Sequence, residues 1–187
     1  SGNIVVKLPL PPGNLPTLWG NRDRFRDTYL ARFPGYYLTG DAGVLDADGY
    51  LWVMSRIDDV INVAGHRLST GALEEALVSH EAVAECAVIG VEDAMKGELP
   101  LGFVVLNAGT DADPEQLRAE LIATVRSQVG AIATPRDIVI VERLPKTRSG
   151  KILRATMRQI ADRKEVKVPP TIEDAAVLEE IRDALGT

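Results

Sequence analysis

The stretch Arg56-Ile57-Asp58-Asp59-Val60-Ile61-Asn62-Val63-Ala64-Gly65-His66-Arg67 constrains the fold more than any other. Asp side chains bond their own backbone, so Asp58-Asp59 reads as a turn or hinge. Val60, Ile61 and Val63 then read as a short strand, Ala64-Gly65-His66 as a tight turn, and Arg67-Leu68 as the return strand. Arg56 lies on one side of this pivot and a hairpin ending in Arg67 on the other. Arginine forks suit phosphate, so the pair marks a candidate anion-reading region.

Composition narrows the class. At 187 residues the chain has room for one domain, or for one domain and part of another. A formal charge of -6 argues against a dedicated nucleic-acid binder. A single cysteine, Cys86, excludes a disulfide scaffold and fits a reducing compartment. No run of 18 apolar residues is present, so no membrane span is expected, and no signal peptide is expected. The start, Ser1-Gly2-Asn3, has no Met and leads at once into a strand, so the chain reads as a piece of a longer one.

Residues 3–8 read as a strand ended by Pro9-Leu10-Pro11-Pro12-Gly13. Helical spacing of Phe25, Tyr29 and Leu30 predicts a helix over 21–33, capped by Asn21. Thr39-Gly40-Asp41 is expected at a strand end, before a hairpin that turns at Asp46-Ala47-Asp48-Gly49. Asp41 there fits either an acceptor for a ribose diol or a plain Asx turn. Beyond the pivot, Ser69 or Thr70 caps a helix with Glu74-Glu75 in its first turn. Residues 83–91, 99–106 and 137–142 read as buried strands, with Cys86 a small core residue. Asp113-Pro114-Glu115 starts the clearest helix, striped by Leu117, Leu121, Ile122, Val125 and Val129. An amphipathic helix follows over 152–163, and a final helix or half-ordered tail over 172–185. No internal repeat is present.

Few residues announce chemistry by themselves. Lys146-Thr147-Arg148-Ser149-Gly150-Lys151 is basic, contains glycine and precedes a helix, which suits an anion, but taken alone it reads first as a turn with solvated lysines. It lacks the phosphate-loop spacing of nucleotide triphosphatases. The basic residues from Arg143 to Lys167 carry no interleaved aromatics for base stacking, and most of them read as a solvated helix face. His66 and His80 are isolated, so neither a zinc site nor a catalytic triad is indicated.

Three motifs occur in order: Tyr37-Leu38-Thr39-Gly40-Asp41, then Arg56-Ile57-Asp58-Asp59 with Gly65-His66-Arg67, then Leu144-Pro145-Lys146-Thr147-Arg148-Ser149-Gly150-Lys151. Together they resemble the C-terminal part of the adenylate-forming enzymes, over nearly the whole chain. Gly65-His66-Arg67-Leu68-Ser69-Thr70-Gly71 and Ala133-Thr134-Pro135 resemble its short-chain branch, the acetyl- and propionyl-CoA synthetases, with the Ser-Thr-Gly leaning to propionate. The resemblance implies an α+β fold. Residues 1–57 would close a β-rich subdomain of a large N-terminal domain. Residues 58–187 would form a mobile C-terminal domain with a β-hairpin and a three-stranded sheet flanked by helices.

The resemblance also implies roles. Asp41, Arg56 and Arg67 would bind ATP or AMP, and Asp58 would be the hinge. Gly65 would border the pantetheine tunnel, Arg126 would lie near the CoA nucleotide, and Lys151 would be catalytic. Ser55 departs from the family's usual Gly, with little effect expected from so small a side chain. The implied enzyme is an AMP-forming acid-thiol ligase using ATP, CoA and Mg²⁺, the metal held mainly by the missing large domain. Its acid would be propionate, with acetate next. The fragment alone is expected to be inactive. Lys151 would be a target for a lysine acetyltransferase and a deacylase, and the protein would be cytoplasmic, or in the mitochondrial matrix in a eukaryote. An adenylate-forming enzyme that loads a carrier protein and a non-catalytic acyl-acceptor module are the alternatives.

Overall fold

Strands β1 (Gly2–Lys7), β2 (Tyr36–Leu45) and β3 (Leu51–Arg56) form an antiparallel sheet in the order β1-β2-β3. In β2, Leu38, Gly40 and Ala42 are buried at every second position, the pattern of a strand with one covered face. This is a computed structural model, and it describes residues 2–186. The chain divides into two units, Ser1–Asp58 and Asp59–Thr187.

In the first unit, Asn21 caps α1 (Arg22–Phe25) by accepting from Arg24 N at 3.1 Å. The expected long helix does not form: the chain widens into a π-helical turn over Arg26–Leu30 and stops. That turn stacks Tyr29 on Tyr37 of β2, with ring centroids 5.2 Å apart, and brings Phe25 against both rings. Thr39-Gly40-Asp41 lies inside β2 rather than at its end. The β2–β3 turn is fixed by Asp46, whose carboxylate accepts from Asp48 N, Tyr50 N and Trp52 Nε1. These bonds, that from Trp52 foremost, hold it below the usual carboxylate range.

The second unit is a sheet covered on both faces. It contains β4 (Ile61–Val63), β5 (His66–Leu68), β6 (Val83–Asp93), β7 (Gly97–Leu106) and β8 (Asp137–Ile140). The order is β5-β4-β7-β6, and β8 pairs with β7 in parallel. The hairpin is therefore joined to the three-stranded sheet, giving five strands, through Val63 opposite Gly97. Helices α2 (Thr70–Val78) and α3 (Pro114–Gln128) cover one face; α4 (Arg154–Ala161) and α5 (Val177–Leu185) cover the other. Covering both faces explains why the strands read as continuous apolar runs. Cys86 and Val88 pack under α2 and α3, while Ala87, Ile89 and Val91 pack under α4 and α5. A bulge between Val83 and Glu85 resets the alternation, so Val83 shares the face of Cys86.

Asp113 accepts from Gln116 N at 3.0 Å and caps α3, with Pro114 at its first position. Ser69 precedes α2 without a side-chain cap bond, and Glu74 lies beyond the first turn. Its carboxylate faces inward, accepting from Val88 N at 2.9 Å and from the Arg154 guanidinium. No helix among the described residues is long and apolar enough to cross a membrane.

Candidate functional site

Antiparallel register places Asp41 of β2 directly opposite Arg56 of β3. The Arg56 guanidinium lies 3.5 Å from Asp41 Oδ1 and donates to Asp58 Oδ1 at 3.2 Å and to the Thr39 carbonyl at 3.3 Å. Its flat face covers Gly40, where a Cβ would stand 2.6 Å from both terminal nitrogens. Three of the sequence-predicted residues, Asp41, Arg56 and Asp58, are thus one cluster. All remain substantially exposed, so the ion pairs contribute little to stability and the polar edges stay available to a ligand. Asp58, the expected hinge, is the last residue of the first unit. Next to Arg56, the Ser55 hydroxyl is buried and has no hydrogen-bond partner among the described residues.

The second group is the β4–β5 hairpin. Ala64 and Gly65 have φ of +48° and +86°, the two positive values of a type I′ turn. A side chain at Gly65 would meet nothing within 4 Å, so within this chain glycine is required there by the backbone alone. Arg67 pairs with Asn62 in the hairpin register and its side chain is exposed.

The third group is the Lys146–Lys151 turn. It is closed by a bridge between Lys146 and Ile152, by Thr147 N donating to the Lys151 carbonyl at 2.8 Å, and by Lys151 N donating to Thr147 Oγ1 at 3.1 Å. Arg148 N and the Lys146 carbonyl tie it to residues 171–173. Two charged contacts bracket it. Lys146 Nζ sits 2.7 Å from Glu85 of β6, and Arg154 forms a fork with Glu74 of α2. The helix α4 starts only at Arg154, so the turn is braced by its own hydrogen bonds and is no helix-end anion cradle. Lys151 is exposed, and its amine has no ion-pair partner among the described residues.

The hairpin and the lysine turn use opposite ends of one ladder. Val63 is paired with Gly97, while Glu85, which holds Lys146, is paired with Val105. At a strand's rise per residue these points lie roughly 26 Å apart along β7. Arg126 is exposed in the last turn of α3, in neither group. A cavity of about 430 Å³ between Leu101, Val139, Arg136 and Arg163 contains none of the predicted site residues. No group of three or more His, Cys, Asp or Glu among the described residues is placed to hold a metal ion. Sequence reasoning missed Glu74, Glu85 and Arg154, because each is identified only by a partner far away in the chain. The sole sequence signal was a glutamate among apolar neighbours, Glu85 in β6.

Residues 72–151 match the AMP-binding enzyme C-terminal domain. The chain is 53% identical, over 98% of its length, to the mitochondrial acyl-CoA synthetase short-chain family member 3 of Mus musculus. Over this length the chain matches the short-chain acyl-CoA synthetase family. It is also 49% identical, over 98% of its length, to the acetyl-coenzyme A synthetase of Pyrobaculum aerophilum, and it spans 27% of each of these relatives. Its fold matches that of the o-succinylbenzoate CoA synthetase from Bacillus subtilis, solved with an acyl-adenylate intermediate. The TM-score is 0.69 at 30% identity, over 84% of this chain and 30% of that one. The chain therefore spans just over a quarter of the length of these relatives.

Proposed function

We propose that the chain is the C-terminal part of an AMP-forming ligase that activates a short-chain carboxylate and transfers it to CoA. Residues 1–57 end the large adenylation domain, and residues 58–187 are the mobile C-terminal domain. In the first step the carboxylate attacks the α-phosphorus of ATP, forming acyl-AMP and releasing pyrophosphate. Lys151 bridges the attacking carboxylate and the α-phosphate and offsets the charge that develops there. Asp41 and Arg56 hold the ribose, and Arg67, carried on the hairpin, reaches the AMP phosphate in the second step. In the second step the domain turns about Asp58, Lys151 leaves, and the hairpin enters with Gly65 beside the pantetheine arm. The CoA thiol then attacks the acyl carbonyl and AMP leaves.

The observation that carries this reading is the separation of the lysine turn from the hairpin along β7. One site cannot use both ends of the ladder at once, so alternation between them gives each a step. Arg126 would serve the CoA nucleotide, which favours CoA over a carrier protein. Propionate is the favoured acid, with acetate next. Acylation of the exposed Lys151 amine would remove its charge and stop the first step, making an acetyltransferase and a deacylase natural partners.

The test uses the full-length parent. Pyrophosphate release is measured with ATP and acetate, propionate or butyrate, followed by thioester formation on adding CoA. Propionate-dependent release and thioester formation are expected. Lys151→Ala should reduce release by at least about a hundredfold while sparing thioester formation from supplied acyl-AMP. Equal loss of both steps counts against the role given to Lys151. Release without thioester formation moves the reading to a carrier protein.

A further inference from the structure

We propose that Glu98 is a positioning residue for the thioester step, fixing the Gly65 hairpin through the backbone N–H of Asn62. This rests on the function proposed above, which gives the hairpin its part in that step.

The hairpin is short, three residues to a strand. In a two-residue turn the flanking pair, here Val63 and His66, is hydrogen-bonded, and so is the pair two positions back, Ile61 and Leu68. Asn62 and Arg67 form the intervening non-bonded pair, so the Asn62 N–H points away from β5 toward β7. β7 offers β4 little there, since among the described residues the β4–β7 register pairs Val63 with Gly97 alone. The Glu98 carboxylate supplies the acceptor instead: Asn62 N donates to Oε2 at 2.7 Å. A side chain of β7 thus replaces a ladder carbonyl.

The carboxylate is itself held. Its other oxygen lies 3.6 Å from the Arg158 guanidinium of α4. The Glu98 side chain is 22% exposed and that of Arg158 30%. Gly90 lies directly behind the pair. A Cβ there would stand 3.2 Å from Glu98 Cδ and 3.3 Å from a terminal nitrogen of Arg158. The ion pair therefore fixes where the carboxylate points, and the carboxylate fixes the hairpin. Beyond it, β4 is held to this edge by Ala64 N donating to the Lys96 carbonyl at 2.7 Å and by the Val63–Gly97 pairing. Losing Glu98 loosens the strand that aims Gly65 and Arg67, and leaves the lysine turn braced by Glu85 and Glu74.

Glu98→Ala and Glu98→Gln are made in the full-length parent, and the two half-reactions are measured separately. For Glu98→Ala, acid-dependent exchange of pyrophosphate into ATP should stay within about twofold of the parent. With supplied acyl-AMP, kcat/KM for CoA should fall about tenfold. Glu98→Gln retains an acceptor oxygen and should recover most of that loss. Hydrogen exchange on the 187-residue chain reads the contact directly. The Asn62 amide should lose protection in Glu98→Ala while the β6–β7 amides keep theirs. Equal losses in both half-reactions, an unchanged CoA step, or an unchanged Asn62 amide overturns the inference. If the unsubstituted parent performs neither half-reaction, the function reading fails, and the exchange result still decides whether Glu98 fixes the hairpin.

Discussion

Two glycines show how differently a single residue type is used. Gly40 has φ +87° and lies under the Arg56 guanidinium, so any side chain would push that group away from Asp41. Gly65 also has a positive φ but open space around it, so only backbone conformation fixes it within this chain. Its clearance for the pantetheine arm belongs to the proposed complex with the rest of the enzyme. Cys86 is the opposite case, legible from its apolar neighbours as a core residue and buried as expected. Burial, seconded by the Glu74 charge, pushes its thiol up from 9.0 to about 12. The folded chain therefore keeps the proton at a pH where the unfolded chain loses it. The resulting stability is complete below about pH 9 and is lost as the pH rises toward 12. Between pH 8 and pH 10 the chain should lose about 1 kcal/mol more than Cys86→Ala does in urea unfolding. Parallel pH profiles for the two proteins would show that the thiol is not held neutral.

Among elements, α2 and α4 are joined across the sheet by the Glu74–Arg154 fork. Both side chains are largely buried, 18% and 22% exposed. Removing one partner strands the other, since Glu74 would keep only the Val88 N–H. Arg154→Leu should therefore destabilise the chain by about 3 kcal/mol in urea. The double change Glu74→Leu with Arg154→Leu should recover most of it, because no buried charge is left alone. A single variant as stable as the parent, or a double variant no better than the single, would mean that water already satisfies the carboxylate. The helices and strands themselves were legible, because Leu73, Leu77, Leu117 and Leu121 repeat at helical spacing and β6 is apolar on both faces. Glu74 was not. In sequence it looked like a first-turn carboxylate favouring the helix dipole, whereas its position is set by an arginine 80 residues away. The same limit applies to Glu98, whose partner is a backbone amide 36 residues earlier, and to the helix expected over 21–33. There the packing of Tyr29 on Tyr37 won over helical spacing. The cluster of Asp41 and Arg56 became visible only through strand register.

At the scale of the whole molecule, the two units carry very different cores. In the second unit, two apolar clusters lie on the two faces of one sheet and include Phe103, Leu73, Leu77, Leu121, Met157 and Ile181, each almost wholly buried. In the first unit the buried apolar side chains are Phe25, Leu38 and Ala42. Its edge strand β3 leaves Leu51, Trp52, Val53 and Met54 all exposed, so neither face of that strand is covered. A core of that size offsets little of the entropy lost on ordering nearly sixty residues. The proposed reading accounts for the imbalance: the first unit is the end of a larger domain whose remaining residues would cover β3. Residues 59–187 expressed alone should therefore melt in one cooperative transition by circular dichroism. Residues 2–58 alone should show none. In the whole 187-residue chain the β1–β3 amides should exchange with solvent faster than those of β6 and β7. A cooperative melt of the isolated 2–58 segment would mean that its small aromatic cluster suffices, and the exposed row on β3 would then need another explanation. Loss of the transition from 59–187 would mean that the second unit's two-sided core is not enough by itself, contrary to what its burial implies.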